Sequence, residues 1–432
     1  MLKRFFDLEG HKTNVRTEVL AGITTFLTMA YILAVNPEIL SKAGMDKDAV
    51  FTATALSAFI GTLVMALWAK LPFALAPGMG LNAFFAFTVV LTMGYSWQFA
   101  LTAVFIEGIL FLLLTAFNIR ELIVDSIPLN MKHAVSAGIG LFIAFIGLQH
   151  AGLVVSSPAT MLTLGDIKSP MALVAVVGIL TTGVLFYFRV KGALLIGILA
   201  STFVGIPLGV TLWPSDSNLV SLPPSIEPIL FKFDFSHMFT MDMLIVVFTF
   251  LFVDVFDSVG TLVGVSSKAG MLDKDGRVPR VKQALFADAI GTTVGAAIGT
   301  STVVTYVESA SGVAEGGRSG LTSLTVAILF VFALFFAPLF TMIPGAATAP
   351  ALILVGLFML EPIKSIDFGD FTEAIPAFFT IIMMPLCYSI AEGIVFGMLS
   401  YVLLKVLTGQ FKKLSITMIV IALLFILKFF MQ

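Results

Sequence analysis

Three acidic residues lie within long apolar stretches of the sequence, where carboxyl groups are rare. Asp254 and Asp257 belong to the apolar segment 248–265, and Glu308 directly follows the run 300–307. A carboxylate at the centre of a bilayer costs about 2.5–3.5 kcal/mol on insertion scales. Loss of water disfavours the charged form, which suits such a group to carry a proton, and a carboxylate can also accept hydrogen bonds from the N–H groups of a neutral ring. These acids are therefore candidates for proton coupling or ligand binding.

The spacing of the acids separates them into central and supporting candidates. Asp254 and Asp257 are three residues apart and so share one face of a helix. Asp257 and Glu308 are the central candidates. Each lies where two interrupted membrane segments, described below, should meet. Asp288, one turn into the next apolar segment, is predicted mainly to brace the neighbouring strand, with Thr305 as a second supporting residue.

The composition places these acids in a membrane protein. Of the 432 residues 59% are hydrophobic and 12% are charged, and the mean hydropathy is +1.06, which leaves too little polar surface for a soluble chain of this length. The net charge of -2 predicts no nucleic-acid partner. The single cysteine, Cys387, excludes an intramolecular disulfide and a CxxC metal pair, so no metal or cofactor is predicted.

Apolar stretches recur along the whole sequence, and each is long enough to cross about 30 Å of hydrocarbon as a helix. They predict an all-α polytopic protein with fourteen spans, and the placement of the further apolar segment 415–430 is left open. The predicted spans are 17–36, 50–69, 73–94, 97–117, 131–150, 171–188, 191–210, 240–265, 283–299, 301–318, 321–341, 344–360, 372–388 and 390–407.

The distribution of positive charge predicts the orientation of these spans. Lysine and arginine accumulate on the cytoplasmic side of membrane proteins. If the N-terminus is cytoplasmic, only five of the 24 Lys and Arg residues fall in outer loops or in the terminal segment. These five are Lys42, Lys47, Lys168, Lys232 and Lys428.

The two halves of the sequence resemble each other. Ser-Ile-Pro128 opens one apolar span and Met-Ile-Pro344 opens a similar one 216 residues later. Each predicted half has seven spans, and an odd number makes the halves face opposite ways in the membrane. Inverted repeats of this kind are typical of secondary transporters, in which the substrate site lies near the midplane where broken helices meet.

The third predicted span is interrupted near its start. Pro72 and Pro77 remove backbone donors, and Gly78 and Gly80 tolerate unusual dihedral angles, so a continuous helix is not expected here. Asn82 is a good N-cap, so the helix is predicted to restart there.

The tenth predicted span is interrupted in the corresponding place. Six of the eight residues in 300–307 are β-branched, which favours an extended strand, and a helix is predicted to restart around Ser309. Because lipid cannot satisfy free backbone groups, the two non-helical segments should pair with each other or line a wet cavity. Phe84 and Phe85, just inside the first interruption, are candidates for stacking on a flat ligand.

Four segments of the sequence resemble the AzgA-like adenine/guanine/hypoxanthine permeases of the nucleobase/cation symporter family. The resemblance covers nearly the whole chain. The segments are GITTFLTMAYILAVNP (22–37), APGMGLNAFF (76–85), FVDVFDSVGTL (252–262) and GTSTVVTYVESASGV (299–313).

The resemblance implies a division into a core domain and a gate domain, with short strands breaking spans 3 and 10. It implies core segments at 17–117 and 240–341, gate segments at 121–210 and 343–408, and a terminal segment at 413–432. By motif, Asp257, Glu308 and Asn82 correspond to the residues that contact the base, and we add Gly80, Phe84 and Ser309 as candidate contacts.

The function implied by the resemblance is proton-coupled import of purine nucleobases across the cell membrane, not enzymatic catalysis. Asp257 is expected to take up the proton, while Glu308 stays ionised beside a helix N-terminus and accepts N–H groups of the purine; Asp254 is a further candidate for proton coupling. The bilayer is the expected surrounding, and a homodimer is one alternative for the oligomeric state.

Three other functions fit the sequence less well. An anion transporter of the sulfate-permease type would share the architecture, but buried acids without basic partners repel an anion. An intramembrane enzyme would need a catalytic constellation, whereas His11, His133, His150 and His237 are scattered. A channel would show a continuous polar stripe instead of matched breaks.

Overall fold

The computed structural model describes residues 2–117, 128–212, 220–268, 270–272 and 278–415, with six further residues near the C-terminus. The predicted opening of the fifth span at Ser126 lies outside the described residues, as does most of the segment 415–430. Where that segment is described, Phe425 packs against Phe248 with 5.8 Å between ring centroids.

Helices make up most of the described chain. In the first half they are α1 (Leu2–Phe5), α2 (Val15–Met29), α3 (Ile32–Lys42), α4 (Lys47–Val64), α5 (Met79–Ala83), α6 (Trp97–Ala116), α7 (Leu129–His150), α8 (Pro170–Tyr187) and α9 (Ala193–Gly205). In the second half they are α10 (Met241–Lys268), α11 (Val281–Ile298), α12 (Ser309–Ala314), α13 (Gly320–Ala333), α14 (Ala337–Thr341), α15 (Gly345–Met359), α16 (Phe371–Leu386) and α17 (Ile390–Leu407).

Irregular helical turns and short strands complete the secondary structure. Wider π-helical turns extend α4 over Met65–Ala69 and α5 over Phe84–Thr92, and 3-10 turns occupy Leu334–Phe336, Glu361–Ser365 and Phe411–Lys413. The strands are β1 (Leu75–Pro77), β2 (Val154–Ser157), β3 (Met161–Leu164) and β4 (Val303–Thr305).

The fold is that of a polytopic membrane protein. Among the described residues, eight helical segments are long and apolar enough to cross a bilayer, and three shorter apolar helical segments lie between them. The eight are Val15–Lys42, Lys47–Ala69, Trp97–Ala116, Leu129–His150, Pro170–Tyr187, Gly320–Thr341, Gly345–Ser365 and Ile390–Leu407.

Two regions differ from the sequence-based expectation. The first span extends beyond residue 36. The helix is interrupted at Tyr31, and α3 then continues to Lys42. The extra turns carry Glu38, whose carboxylate is neutralised by Lys42 at 3.1 Å and Lys47 at 2.9 Å. The exposed hairpin formed by β2 and β3 was not predicted, since its strands are too short to give a clear alternating pattern.

Strands β1 and β4 form an antiparallel pair inside the helical bundle. Ala76 lies opposite Val304 in the register. The ladder continues beyond the strands, because the Gly78 N–H donates to the Thr302 carbonyl oxygen and the Tyr306 N–H donates to the Ala74 carbonyl oxygen, both at 2.9 Å. The two segments that the sequence predicted to leave the helix thus satisfy each other's backbone groups.

A threonine on a neighbouring helix closes the outer edge of each strand. On α4, Thr62 Oγ1 accepts from the Leu75 N–H at 2.9 Å and donates to the Leu75 carbonyl oxygen at 3.1 Å. On α11, Thr292 Oγ1 makes the same two bonds to Val303, each at 3.0 Å. Each hydroxyl therefore replaces the water that a strand edge would otherwise need.

Helices α7 and α15 cross at two glycines that touch each other. A Cβ atom on Gly140 would lie 2.6 Å from the Gly356 carbonyl oxygen, and one on Gly356 would lie 2.4 Å from the Gly140 carbonyl oxygen. Any side chain at either position would force the helices apart. The two glycines are separated by the same 216 residues as Pro128 and Pro344, which directly precede these helices.

We expect Thr292→Val, and equally Thr62→Val, to destabilise the fold. Valine keeps the shape but leaves a buried N–H and carbonyl oxygen unpaired, at a cost of about 1–3 kcal/mol for each group. Thermal unfolding in detergent measures the loss. Thr293→Val is the matched control, because the Thr293 hydroxyl bonds only to the Ala289 carbonyl oxygen of its own helix. An equal loss in the control would contradict the assigned role of Thr292.

Candidate functional site

The structure brings Asp257 of α10 close to Glu308. Asp257 interacts electrostatically with both Asp254 and Glu308, although Glu308 is far away in the sequence. Asp254 is fully buried, and Ser258 Oγ donates to its Oδ1 at 2.9 Å. Asp257 and Glu308 are partly buried. Among the described residues, the ion pairs involve neither Asp257 nor Glu308.

Tyr31 contacts Glu308 directly, and the sequence analysis missed it. The Tyr31 hydroxyl donates to Glu308 Oε1 at 2.7 Å, and the tyrosine side chain is only 1% exposed. Tyr31 lies at the junction of α2 and α3, where the helix break aims its ring towards the acid. The sequence feature that could have indicated this contact is the presence of a single tyrosine in the middle of the first apolar segment.

Tyr306 is a second tyrosine that the sequence analysis did not select. It directly follows β4, and its hydroxyl donates to the Pro77 carbonyl oxygen at 2.5 Å. Pro77 ends β1, so this bond links the ends of the paired strands. Tyr306 also interacts electrostatically with Asp257 and Glu308, which places it beside the same acids.

Asn82 does not cap a helix, so that prediction was wrong. Helix α5 begins at Met79, and the Asn82 N–H already donates to the Gly78 carbonyl oxygen at 2.8 Å. The helix starts earlier because strand pairing ends at Gly78, which frees the chain to turn at once. The fully buried Asn82 side chain instead accepts a short hydrogen bond from Ser301 Oγ, and its Nδ2 has no hydrogen-bond partner among the described residues.

The glycines of the first interruption adopt ordinary dihedral angles and are needed for close packing. Gly78 has φ −76° and ψ 128°, and Gly80 lies within α5. A Cβ atom on Gly80 would lie 2.7 Å from Ile139 of α7, and one on Gly78 would lie 2.9 Å from Val304 of β4. Both positions therefore exclude a side chain.

The remaining candidates brace the strands or pack beside them. Thr305 Oγ1 donates to Asp288 Oδ1 at 2.8 Å, so Asp288 of α11 lies beside β4. Ser309 Oγ accepts from the Ala74 N–H at 3.0 Å. Phe84 packs edge-on against Phe250 at 4.9 Å between ring centroids and is buried. Its role in stacking stays a prediction.

A buried polar network behind the strands was also missed. Asn36 Nδ2 donates to Thr54 Oγ1 at 2.7 Å and to Thr300 Oγ1 at 2.9 Å. The network joins α3, α4 and Thr300, which lies two residues after the end of α11, so it fixes the approach to β4. Sequence spacing could not reveal it, because its members come from three separate elements.

The chemistry available here is hydrogen bonding and proton exchange at carboxyl groups in a place shielded from water. Within the described part of the chain, no group of three or more His, Cys, Asp or Glu side chains could hold a metal ion. Hydroxyl groups of tyrosine, serine and threonine supply the contacts around the acids. A neutral ligand with N–H groups suits this arrangement.

Solved structures with the same fold are membrane transport proteins. The chain matches the transmembrane domain of the bicarbonate transporter BicA of a cyanobacterium with a TM-score of 0.67 and 16% identity, over 89% of this chain and 97% of that one. It matches the murine anion transporter Slc26a9 in the inward-facing state with a TM-score of 0.61 and 11% identity, over 93% and 72% of the two chains. At such low identity these matches establish the fold.

The spans and the paired strands thus define a multi-pass membrane protein of this fold. The chain belongs to the Permease family, whose model matches residues 16–396. It is 46% identical over 428 residues to the adenine permease AdeP of Escherichia coli, covering 99% of this chain and 96% of that protein. It is 44% identical over 440 residues to the guanine/hypoxanthine permease PbuG of Bacillus subtilis, covering 99% of both. The resemblance to nucleobase permeases is confirmed, and these relatives are permeases and not enzymes.

Thr305→Val should destabilise the protein, whereas Thr305→Ser should not. Valine removes the hydroxyl that donates to the Asp288 carboxyl group inside the bundle, which costs about 1–3 kcal/mol, and serine keeps that donor. Thermal unfolding of the two variants in detergent checks this. Equal losses in both variants would contradict the assigned role of the hydroxyl, since serine keeps this donor.

Proposed function

We propose that this protein imports purine nucleobases, such as hypoxanthine, guanine and adenine, by proton symport across the cell membrane. The observation that carries the proposal is that Asp257 and Glu308 lie close together near the β1–β4 pair in a member of the Permease family. Neither acid forms an ion pair among the described residues. The names of the relatives, an adenine permease and a guanine/hypoxanthine permease, support the substrate class.

The two acids divide the chemistry of symport between them. Glu308 stays ionised and accepts N–H groups from one edge of the purine, since a carboxylate is a strong acceptor. Asp257, with Asp254 and Glu308 as negative neighbours, takes up the proton that is carried with the base. Asp254 supports proton uptake, and the uncommitted Nδ2 of Asn82 supplies a donor to the ring.

A fourteen-span architecture of two inverted repeats fits the contacts. Repeat-related elements that meet on a twofold axis must make symmetric contacts with each other. Gly140 and Gly356 each lie against the other's carbonyl oxygen. Thr62 and Thr292 each bind their neighbouring strand through the same pair of hydrogen bonds. Strands β1 and β4 are the interruptions of the proposed spans 3 and 10, and their antiparallel pairing supports the same twofold axis.

Alternating access requires the core domain to move against the gate domain. We assign 17–117 and 240–341 to the core, 121–210 and 343–408 to the gate, and 413–432 to a terminal segment. Core and gate meet where Gly80 faces Ile139 and where Thr88 Oγ1 donates to the Tyr388 carbonyl oxygen at 3.1 Å. These contacts join the moving parts close to the proposed binding site.

The proposed orientation has a cytoplasmic N-terminus. It is supported by the distribution of lysine and arginine among the loops. A homodimer stays a prediction.

An anion transporter is the second candidate, because the solved structures with this fold include a bicarbonate transporter and an anion transporter. The charge of the site argues against it. An anion that entered beside Asp257 and Glu308 would be repelled unless both carboxyl groups were protonated.

Uptake of labelled hypoxanthine in cells without their own purine carriers tests the proposal. Asp257→Asn cannot exchange a proton and Glu308→Gln loses the charged acceptor, so we expect each to lower uptake at least about tenfold. A protonophore should abolish uptake by the wild type. Glu227→Gln, which changes an exposed acid, is the matched control and should transport normally. Normal uptake by both site variants would refute the proposal, and bicarbonate or sulfate uptake would favour the second candidate.

A further inference from the structure

The hydrogen bond between Tyr31 and Glu308 gives one carboxyl group of the site a fixed donor. The Tyr31 hydroxyl reaches Glu308 Oε1 at 2.7 Å from the junction of α2 and α3. This donor engages one of the two carboxyl oxygens. It also comes from a part of the chain outside the segments that carry Asp257 and Glu308.

The helix that follows Glu308 contributes little to stabilising the ionised carboxyl group. Helix α12 has only six residues, and the Glu308 side chain makes no capping hydrogen bond to it. Its C-terminal carbonyl groups are already bound, since Arg318 Nη1 donates to the Val313 carbonyl oxygen at 2.6 Å. A macrodipole grows with the number of aligned peptide units, so the dipole of this short helix is small.

The charged and titratable groups around Glu308 lie on several elements. Asp257 on α10 is an acidic neighbour of Glu308, and Asp254 is in turn a neighbour of Asp257. Tyr306, which directly follows β4, donates its hydroxyl to the Pro77 carbonyl oxygen. Further along the segment, Glu315 is paired with Lys191 at 2.8 Å. The same segment also carries the Arg318 guanidinium, and Glu18 of α2 accepts from the Arg318 N–H at 3.0 Å.

We propose that Tyr31 is a positioning residue that keeps Glu308 ionised and fixes its orientation, so that the proton is carried by Asp257. A hydroxyl that donates to a carboxylate favours the charged form, because the protonated form loses acceptor strength. The inference rests on the proposed function, since it specifies which acid of that site accepts the purine and which acid carries the proton.

Tyr31→Phe removes only the hydroxyl, and equilibrium binding of labelled hypoxanthine to the purified protein across a pH series tests its role. Binding weakens on the acid side as Glu308 becomes protonated. Without the Tyr31 donor, protonation occurs at higher pH, so we expect the midpoint of this acid limb to rise by about one pH unit, which is a tenfold change in proton affinity. Raising the pH should restore wild-type binding to the variant.

Tyr306→Phe is the matched control, because it removes a buried tyrosine hydroxyl from the same site but frees a backbone carbonyl oxygen and no acid. The pH midpoint at which binding is lost on the acid side should be the same in Tyr306→Phe as in the wild type, even if the affinity differs. An equal shift in both variants would overturn the role of Tyr31. A uniform loss of affinity in Tyr31→Phe that raising the pH does not restore would also overturn it.

Glu308→Gln separates failure of this inference from failure of the proposed function. If Glu308→Gln abolishes binding while the Tyr31→Phe profile matches the wild type, only the role of Tyr31 fails. If Glu308→Gln binds normally, the proposed function fails as well. Should Tyr31→Phe not fold, the infrared spectrum of the wild type decides, because a protonated carboxyl band at neutral pH that disappears in Glu308→Gln would overturn the inference.

Discussion

The requirement that every backbone polar group inside a membrane find a partner in the protein governs this structure. A helix meets the requirement by itself, whereas a segment that leaves the helix does not. The chain leaves the helix at β1 and at β4, and it satisfies both strands through their mutual ladder and through the hydroxyls of Thr62 and Thr292. The site around Glu308 depends on this solution.

Because the strands satisfy each other, polar side chains can gather beside them. Glu308 follows β4 by three residues, and Tyr306 reaches back to Pro77 at the end of β1. Asp257 of α10 lies close to Glu308, whose carboxyl group accepts the Tyr31 hydroxyl. Carboxyl groups that form no ion pair among the described residues suit a neutral heterocycle better than an anion.

Sequence patterns predicted the helices well and the site partly. Apolar length predicted the bounds of helices such as Met241–Lys268 and Ile390–Leu407 to within a few residues, since hydrocarbon thickness sets the length of a helix that crosses it. Proline content and β-branched runs indicated the interruptions. The sequence did not predict that Gly80 is needed for contact with Ile139, because that contact depends on how α5 approaches α7.

The sequence by itself determined that carboxyl groups lie within apolar stretches, because this is visible in the order of residues alone. Only the tertiary structure decided which groups surround them. Tyr31 is separated from Glu308 by more than half of the chain, and no periodicity links the two. Pairing across that distance is set by the packing of the first helices against the second half of the bundle, and packing is a property of the folded chain.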